Sequence, residues 1–147
     1  MSSPDFLRPT VRDQIGNRIV GALVSLGLGF SYSYLLEVRG RKSGRIYSTP
    51  VNLLKVESEE YLVAPRGRTQ WVRNAEAAGE VVLRRGGRWR TYKLRALSAG
   101  EKPPILKTYL DRYRLAVQRY FSVKAGSPVE AFAPVADSYP AFELLPA

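Results

Sequence analysis

A small, mainly antiparallel β-barrel with helices packed outside it is the fold class this sequence predicts, and three observations predict it. Apolar residues alternate with period two along several short stretches, as they do in strands that bury one face. The stretches fall in the order α-βββ-α-ββ-α-β, without the strict strand-helix alternation of a parallel sheet. Gly86-Gly87 joins two of them as a two-residue hairpin turn. The 147 residues are 45% hydrophobic, enough for one core and one domain over 1–147. Residues 1–30 form a tail and an N-terminal helix, and residues 32–147 form the barrel with its outer helices.

Taking the elements in order, Thr10 caps a helix in which Val11, Ile15, Ile19, Leu23 and Leu26 share one face, and Gly27 and Gly29 end it. Its apolar run is shorter than the ~20 residues a bilayer span needs, and no small-residue cleavage site completes a signal peptide. The expectation is a cytoplasmic chain. The same helix, with Arg8, Arg12 and Arg18, also reads as a peripheral contact with anionic lipid at the inner face of the cell membrane.

From Tyr32 the period is two: Tyr32, Tyr34, Leu36 and Val38 point inward. A second strand is expected over 46–56, with Pro50 at an edge or bulge because it cannot donate to a ladder, and a third over 61–64. As a meander these strands alternate in direction. The loops after the first and third therefore lie at one end of the sheet, which brings Lys42 and Arg66 toward one ligand. Thr69 caps a helix over 70–78 that stops at Gly79 and carries Trp71 and Asn74 on one face. Strands over 81–85 and 88–97 follow, their basic residues Arg84, Arg85, Arg88, Arg90, Lys93 and Arg95 facing water. Ser98 with Glu101 makes a capping box ahead of a helix over 103–121, whose buried side is Leu106, Tyr109, Leu110, Tyr113, Val117 and Tyr120. A helical turn from Ser127-Pro128 and a last strand over 141–145 complete the chain.

Charge and absences narrow the chemistry. Twenty-three basic residues against thirteen acidic give +10, which calls for an anionic partner. Arg39-Gly40-Arg41-Lys42-Ser43-Gly44-Arg45 places four cations and two glycines in a tight turn, suited to a multiply charged anion. The sequence holds no Cys and no His, which excludes a thiol nucleophile, a Ser-His-Asp triad and a Cys/His zinc site. Difficult chemistry would then fall to a bound cofactor, with the protein supplying position and electrostatics. A nucleic-acid partner is not expected, because most aromatics fall on apolar stripes rather than among the basic residues.

Four ordered segments carry a resemblance: Arg39-Gly40-Arg41-Lys42-Ser43-Gly44, Thr49-Pro50-Val51-Asn52, Tyr61-Leu62-Val63-Ala64-Pro65-Arg66-Gly67 and Gln70-Trp71-Val72-Arg73-Asn74. Together they resemble the deazaflavin-dependent nitroreductase family of actinobacterial oxidoreductases. The resemblance implies an α+β, mainly β fold, a split antiparallel barrel like the FMN-binding ones. It implies coenzyme F420, whose reduced form serves the reduction of quinones, nitroaromatics or activated enones. By carry-over Lys42 and Arg66 contact the phosphate and the anionic tail, helped by Arg41 and the N–H groups of Ser43 and Gly44. Thr49, Pro50 and Val51 line one edge of the ring, Ala64 and Pro65 the other, with Trp71 and Asn74 beside it. Tyr109 and Tyr113 match a tyrosine-bearing helix at the family's substrate site and are the candidate proton donors; the other reading makes them core residues that seal the helix to the barrel.

Two departures stand out: Ile46 and Tyr47 replace a proline and an arginine of the family pattern, and the loop from Gly67 to Trp71 is short. Alternatives that stay open are a non-catalytic carrier of F420, FMN or a lipid in the same barrel, and an FMN protein. The sequence leaves the oligomeric state open.

Overall fold

The structure, a computed structural model, describes residues 33–147. The expected N-terminal helix and Tyr32 lie outside the described residues. Seven strands form a single antiparallel sheet: β1 (Ser33–Arg39), β2 (Ile46–Asn52), β3 (Leu54–Val56), β4 (Glu59–Val63), β5 (Glu80–Arg85), β6 (Arg88–Ala96) and β7 (Ala141–Pro146). Between them lie helices α1 (Gln70–Ala78) and α2 (Lys102–Val117) and 3₁₀ segments at Gln118–Tyr120 and Val129–Ser138.

The sheet runs in the order β2-β1-β5-β6-β7-β4-β3. The strand expected over 46–56 is therefore two: its first half pairs with β1 and its second with β4, with Leu53 at the break. Since β2 and β3 lie at opposite edges of the sheet yet are joined through Leu53, the sheet curls on itself into a split barrel. Pro50 lies in an edge strand, as its missing N–H requires. From β1 to β4 the sheet passes through four antiparallel pairings, so the two strands run in the same sense. The turn after β1 and the loop after β4 are therefore at one end of the barrel, by this path rather than by the simple meander the sequence predicts.

Alternation sorts the apolar residues into two cores. Leu36, Val38, Leu53, Leu62, Val81, Leu83, Tyr92 and Leu144 form one cluster. Leu54, Val63, Leu106, Leu110, Val117, Phe121, Phe132 and Tyr139 form a second, between the sheet, α2 and the Val129–Ser138 segment. Leu53 and Leu54, like Leu62 and Val63, are neighbours that serve different cores, which is what a strand buried on both faces does. Each fully buried leucine contributes ~1.5–3 kcal/mol relative to exposure.

Local chemistry sets the element ends. α1 stops at Gly79, which takes φ 77° and donates its N–H to Ala75 O at 2.8 Å, a left-handed cap that glycine adopts without strain. Thr69 precedes α1 in extended conformation, but its side chain makes no capping bond, contrary to expectation. The capping box does form: Ser98 N donates to Glu101 Oε1 at 2.9 Å and Glu101 N to Ser98 Oγ at 3.3 Å. The helix expected over 103–121 instead kinks at Tyr113 (φ −114°, ψ 26°) and gives way to a 3₁₀ turn after Val117.

Candidate functional site

A cleft of about 250 Å³ opens between the β2 edge, the end of β4 and the C-terminal half of α2. Thr49, Pro50, Val51 and Asn52 make one wall, and Val63, Ala64, Pro65, Arg66 and Thr69 make another. Trp71 from α1, Tyr109, Ala116 and Val117 from α2, and Tyr120 complete it. The volume is near the lower end for small-molecule sites, and the walls are mainly apolar, suited to a flat ring.

Of the residues the sequence nominated, Thr49, Pro50, Val51, Ala64, Pro65, Arg66, Trp71 and Tyr109 line this cleft. Arg41, Lys42, Ser43, Gly44, Asn74 and Tyr113 do not. Asn74 is buried at 3% exposure, and its Oδ1 accepts from Arg41 N at 3.1 Å and Arg41 Nη1 at 2.7 Å. Arg41 Nη1 also donates to Gln70 Oε1 at 3.0 Å. The pair thus fastens the basic turn to α1, the helix whose first turn reaches the cleft. Gly44 at φ 76° spends its N–H on Gly40 O at 3.0 Å, so that donor is already used. Tyr47, which replaces the family arginine, packs its ring over Gly40: a Cβ there would meet Tyr47 Cε2 at 2.5 Å. Lys42 is exposed and makes no hydrogen bond or ion pair with another described residue.

The tyrosines separate as well. Tyr113 donates its hydroxyl to Leu53 O at 2.6 Å and stands edge-on to Tyr109, with ring centroids 5.3 Å apart. This bond ties α2 to the break between β2 and β3. Tyr109 is 2% exposed. Burial pushes its phenol far above the ordinary value, against the opposing effect of a hydrogen bond from the Asn52 side chain.

Asn52 is a residue the sequence reading quoted in a motif but gave no role. It is 6% exposed and lines the cleft, and its Oδ1 has no hydrogen-bond partner. An unsatisfied buried acceptor is costly. Val117 and Tyr120, assigned to the buried side of their helix, also reach the cleft, Tyr120 with Arg66 at 6.0 Å and Arg119 at 4.9 Å over its ring. No signal in the local sequence marks them, because α2 arrives from more than forty residues away.

The described residues fit a cofactor with a flat, imide-bearing ring and an anionic tail. The cleft offers apolar walls to the ring and the Asn52 acceptor to an imide N–H, and Arg66 supplies charge at its edge. Among the described residues there is no cluster of acidic side chains that could hold a metal ion, and no helix long and apolar enough to cross a membrane.

The fold is that of a split barrel of the FMN-binding-like kind. Residues 10–127 match the F420H(2)-dependent quinone reductase family, and the chain belongs to it. It is an F420-dependent reductase, and its cofactor is coenzyme F420. Among solved structures, the chain resembles a protein of unknown function from Agrobacterium tumefaciens strain C58, at 18% identity and TM-score 0.58, covering 98% of this chain and 57% of that one. It resembles an F420-H2 dependent reductase, FDR-A, at 18% identity and TM-score 0.52, covering 78% of this chain and 94% of that one. A chain solved as a domain-swapped dimer is similar at 19% identity and TM-score 0.53, covering 93% and 99%. No curated protein sequence matches the chain.

Proposed function

We propose that the substrate is a small, electron-poor ring reduced inside the cleft, a quinone before an activated enone or a nitroaromatic. The observation that carries this reading is the Asn52–Tyr109 pair in an otherwise apolar cavity. Bound reduced F420 supplies the hydride. The chain's own residues hold and aim: the walls from β2 and β4 exclude water and fix the ring plane, a positioning task, while Lys42 and Arg66, at the same end of the barrel, hold the anionic tail.

With the Asn52 side chain beside the Tyr109 hydroxyl, the tyrosine would offer its proton to a substrate carbonyl. Its raised pKa makes it a poor acid near neutral pH but leaves it a hydrogen-bond donor. Tyr109 would then steady the charge that develops on the quinone oxygen, and solvent at the cleft's mouth protonates the product as it leaves. The unpartnered Asn52 Oδ1 accepts the cofactor's imide N–H.

The test is a fluorescence titration with oxidised F420, followed by turnover with F420H2 on menadione, cyclohexenone and a nitroaromatic. We expect saturable binding and a kcat/KM for menadione at least tenfold above the other two. Tight binding without turnover on any of them would make the chain a carrier. A protein that purifies yellow, with flavin absorbance, would make FMN the resident ring.

A further inference from the structure

A second cationic surface lies at the tip of the β5–β6 hairpin, at the opposite end of β1 from the turn that carries Lys42. Arg84, Arg85, Arg88 and Arg90 surround the Gly86-Gly87 turn, all exposed, and Trp89 between them is 66% exposed. In the ladder Arg84 stands opposite Trp89 and Arg85 opposite Arg88. Cross-strand partners share a face, so the indole projects beside Arg84. The sequence has no acidic residue between Glu80 and Glu101. The carboxylate that reaches the patch is Glu37, which pairs with Arg84 at 3.2 Å.

Strand directions place this tip. β1 and β5 are antiparallel, so β5 ends where β1 begins, at the far end of the barrel from the turn that carries Lys42. Arg85 Nη1 confirms the placement by donating to Ser33 O at 3.0 Å, and Arg85 also lies over the Tyr34 ring at 5.9 Å. Arg90 lies over the buried Tyr92 ring at 5.5 Å. Arg85 and Arg90 are thus held against the barrel and Arg84 is paired with Glu37, while Arg88 and Trp89 project on opposite faces of the ribbon's end.

That combination fits one partner class. An indole exposed to water is unfavourable, and tryptophan is enriched where a bilayer's headgroups meet its acyl chains. Arginines around it are drawn to anionic headgroups. A single-stranded nucleic acid would need a groove with several aromatics along it, whereas this tip is a narrow ribbon end with one exposed aromatic. We propose that the hairpin tip docks the protein peripherally on an anionic lipid surface, with Trp89 at headgroup depth.

Sedimentation of the full chain with vesicles of phosphatidylglycerol and phosphatidylcholine, against phosphatidylcholine alone, tests the proposal. The wild type should bind the anionic vesicles and lose them at high salt. Each cation contributes about 1 kcal/mol near such a surface, about fivefold in partitioning. The Arg88→Ala/Arg90→Ala double variant should therefore lose roughly 25-fold, and Trp89→Ser should weaken binding further. F420 titrations of the same variants should match the wild type, showing an intact fold and keeping this result separate from the substrate reading. Undiminished vesicle binding by the variants, no binding by the wild type, or a preference for a single-stranded oligonucleotide over vesicles would each overturn it.

Discussion

Truncating Asn74 to alanine isolates what holds the basic turn. Its Oδ1 serves two donors of Arg41, the backbone N–H at 3.1 Å and Nη1 at 2.7 Å. Losing the first strands an N–H in a partly buried place, about 1 kcal/mol. The second involves an exposed guanidinium and is worth at most about 1 kcal/mol after solvent screening. Asn74→Ala should thus cost about 2 kcal/mol, which lowers the melting temperature by roughly 6 °C in a domain of this size. Arg41→Ala removes the second contact together with the exposed bond to Gln70 Oε1 at 3.0 Å, and should cost about 1 kcal/mol. The double variant should fall short of the sum of the two single costs by the energy of the shared contact, up to about 1 kcal/mol. Thermal denaturation of the four proteins completes the cycle, with F420 titrations on the same samples. An unchanged melting temperature combined with a tenfold loss of F420 affinity would refute the clamp and make Asn74 a direct ligand contact.

Other outcomes follow from the same geometry. Tyr109→Phe should leave F420 affinity intact and lower turnover about tenfold, one hydrogen bond's worth of transition-state stabilisation. Tyr113→Phe leaves Leu53 O without its partner and should lose about 1–2 kcal/mol of stability with kcat unchanged; a fall in kcat without destabilisation would return Tyr113 to the chemistry. Lys42→Ala and Arg66→Ala should each weaken F420 binding roughly fivefold at low salt, less at high salt, as exposed charges do; flat titrations would remove them from the site. The hydrogen bond from Arg95, with those from Ser98, holds the Glu101 carboxyl down at about 2. Because that folded pKa lies below the ordinary 4.5, the contact's contribution is fully present above about pH 4.5 and is lost as pH falls through about 2. Glu101→Gln should melt below the wild type at pH 7, and the gap should close toward pH 2; a gap independent of pH would exclude the ion pair as its cause.

Local patterning made much of this fold legible. Period two located β1, the Gly86-Gly87 turn marked β5 and β6, Gly79 ended α1 where expected, and Ser98 and Glu101 form their predicted reciprocal bonds. The break at Leu53 was not legible, because residues on both sides remain strand-like. What divides them is the partner each half finds, β1 for one and β4 for the other. The cleft's two strand walls, with Trp71 and Tyr109, could be read from the ordered motifs and the family resemblance, whereas Val117 and Tyr120 could not, since they are apolar in pattern whether they face a core or a cavity. The family resemblance puts Arg41 and Asn74 near a ligand, and geometry adds that the asparagine gives its acceptor to the arginine.

The position of β7 has a consequence for how the chain acquires its shape. It lies between β6 and β4 in the sheet, although it follows every other described strand in sequence. A nascent polypeptide that has delivered residues 33–140 can zip β1 with β2, β5 and β6, and β3 with β4, but these remain two separate ribbons. Emergence of 141–146 is the event that joins them, so a ribosome paused before that point would display two unpaired edges to any neighbouring nascent chain.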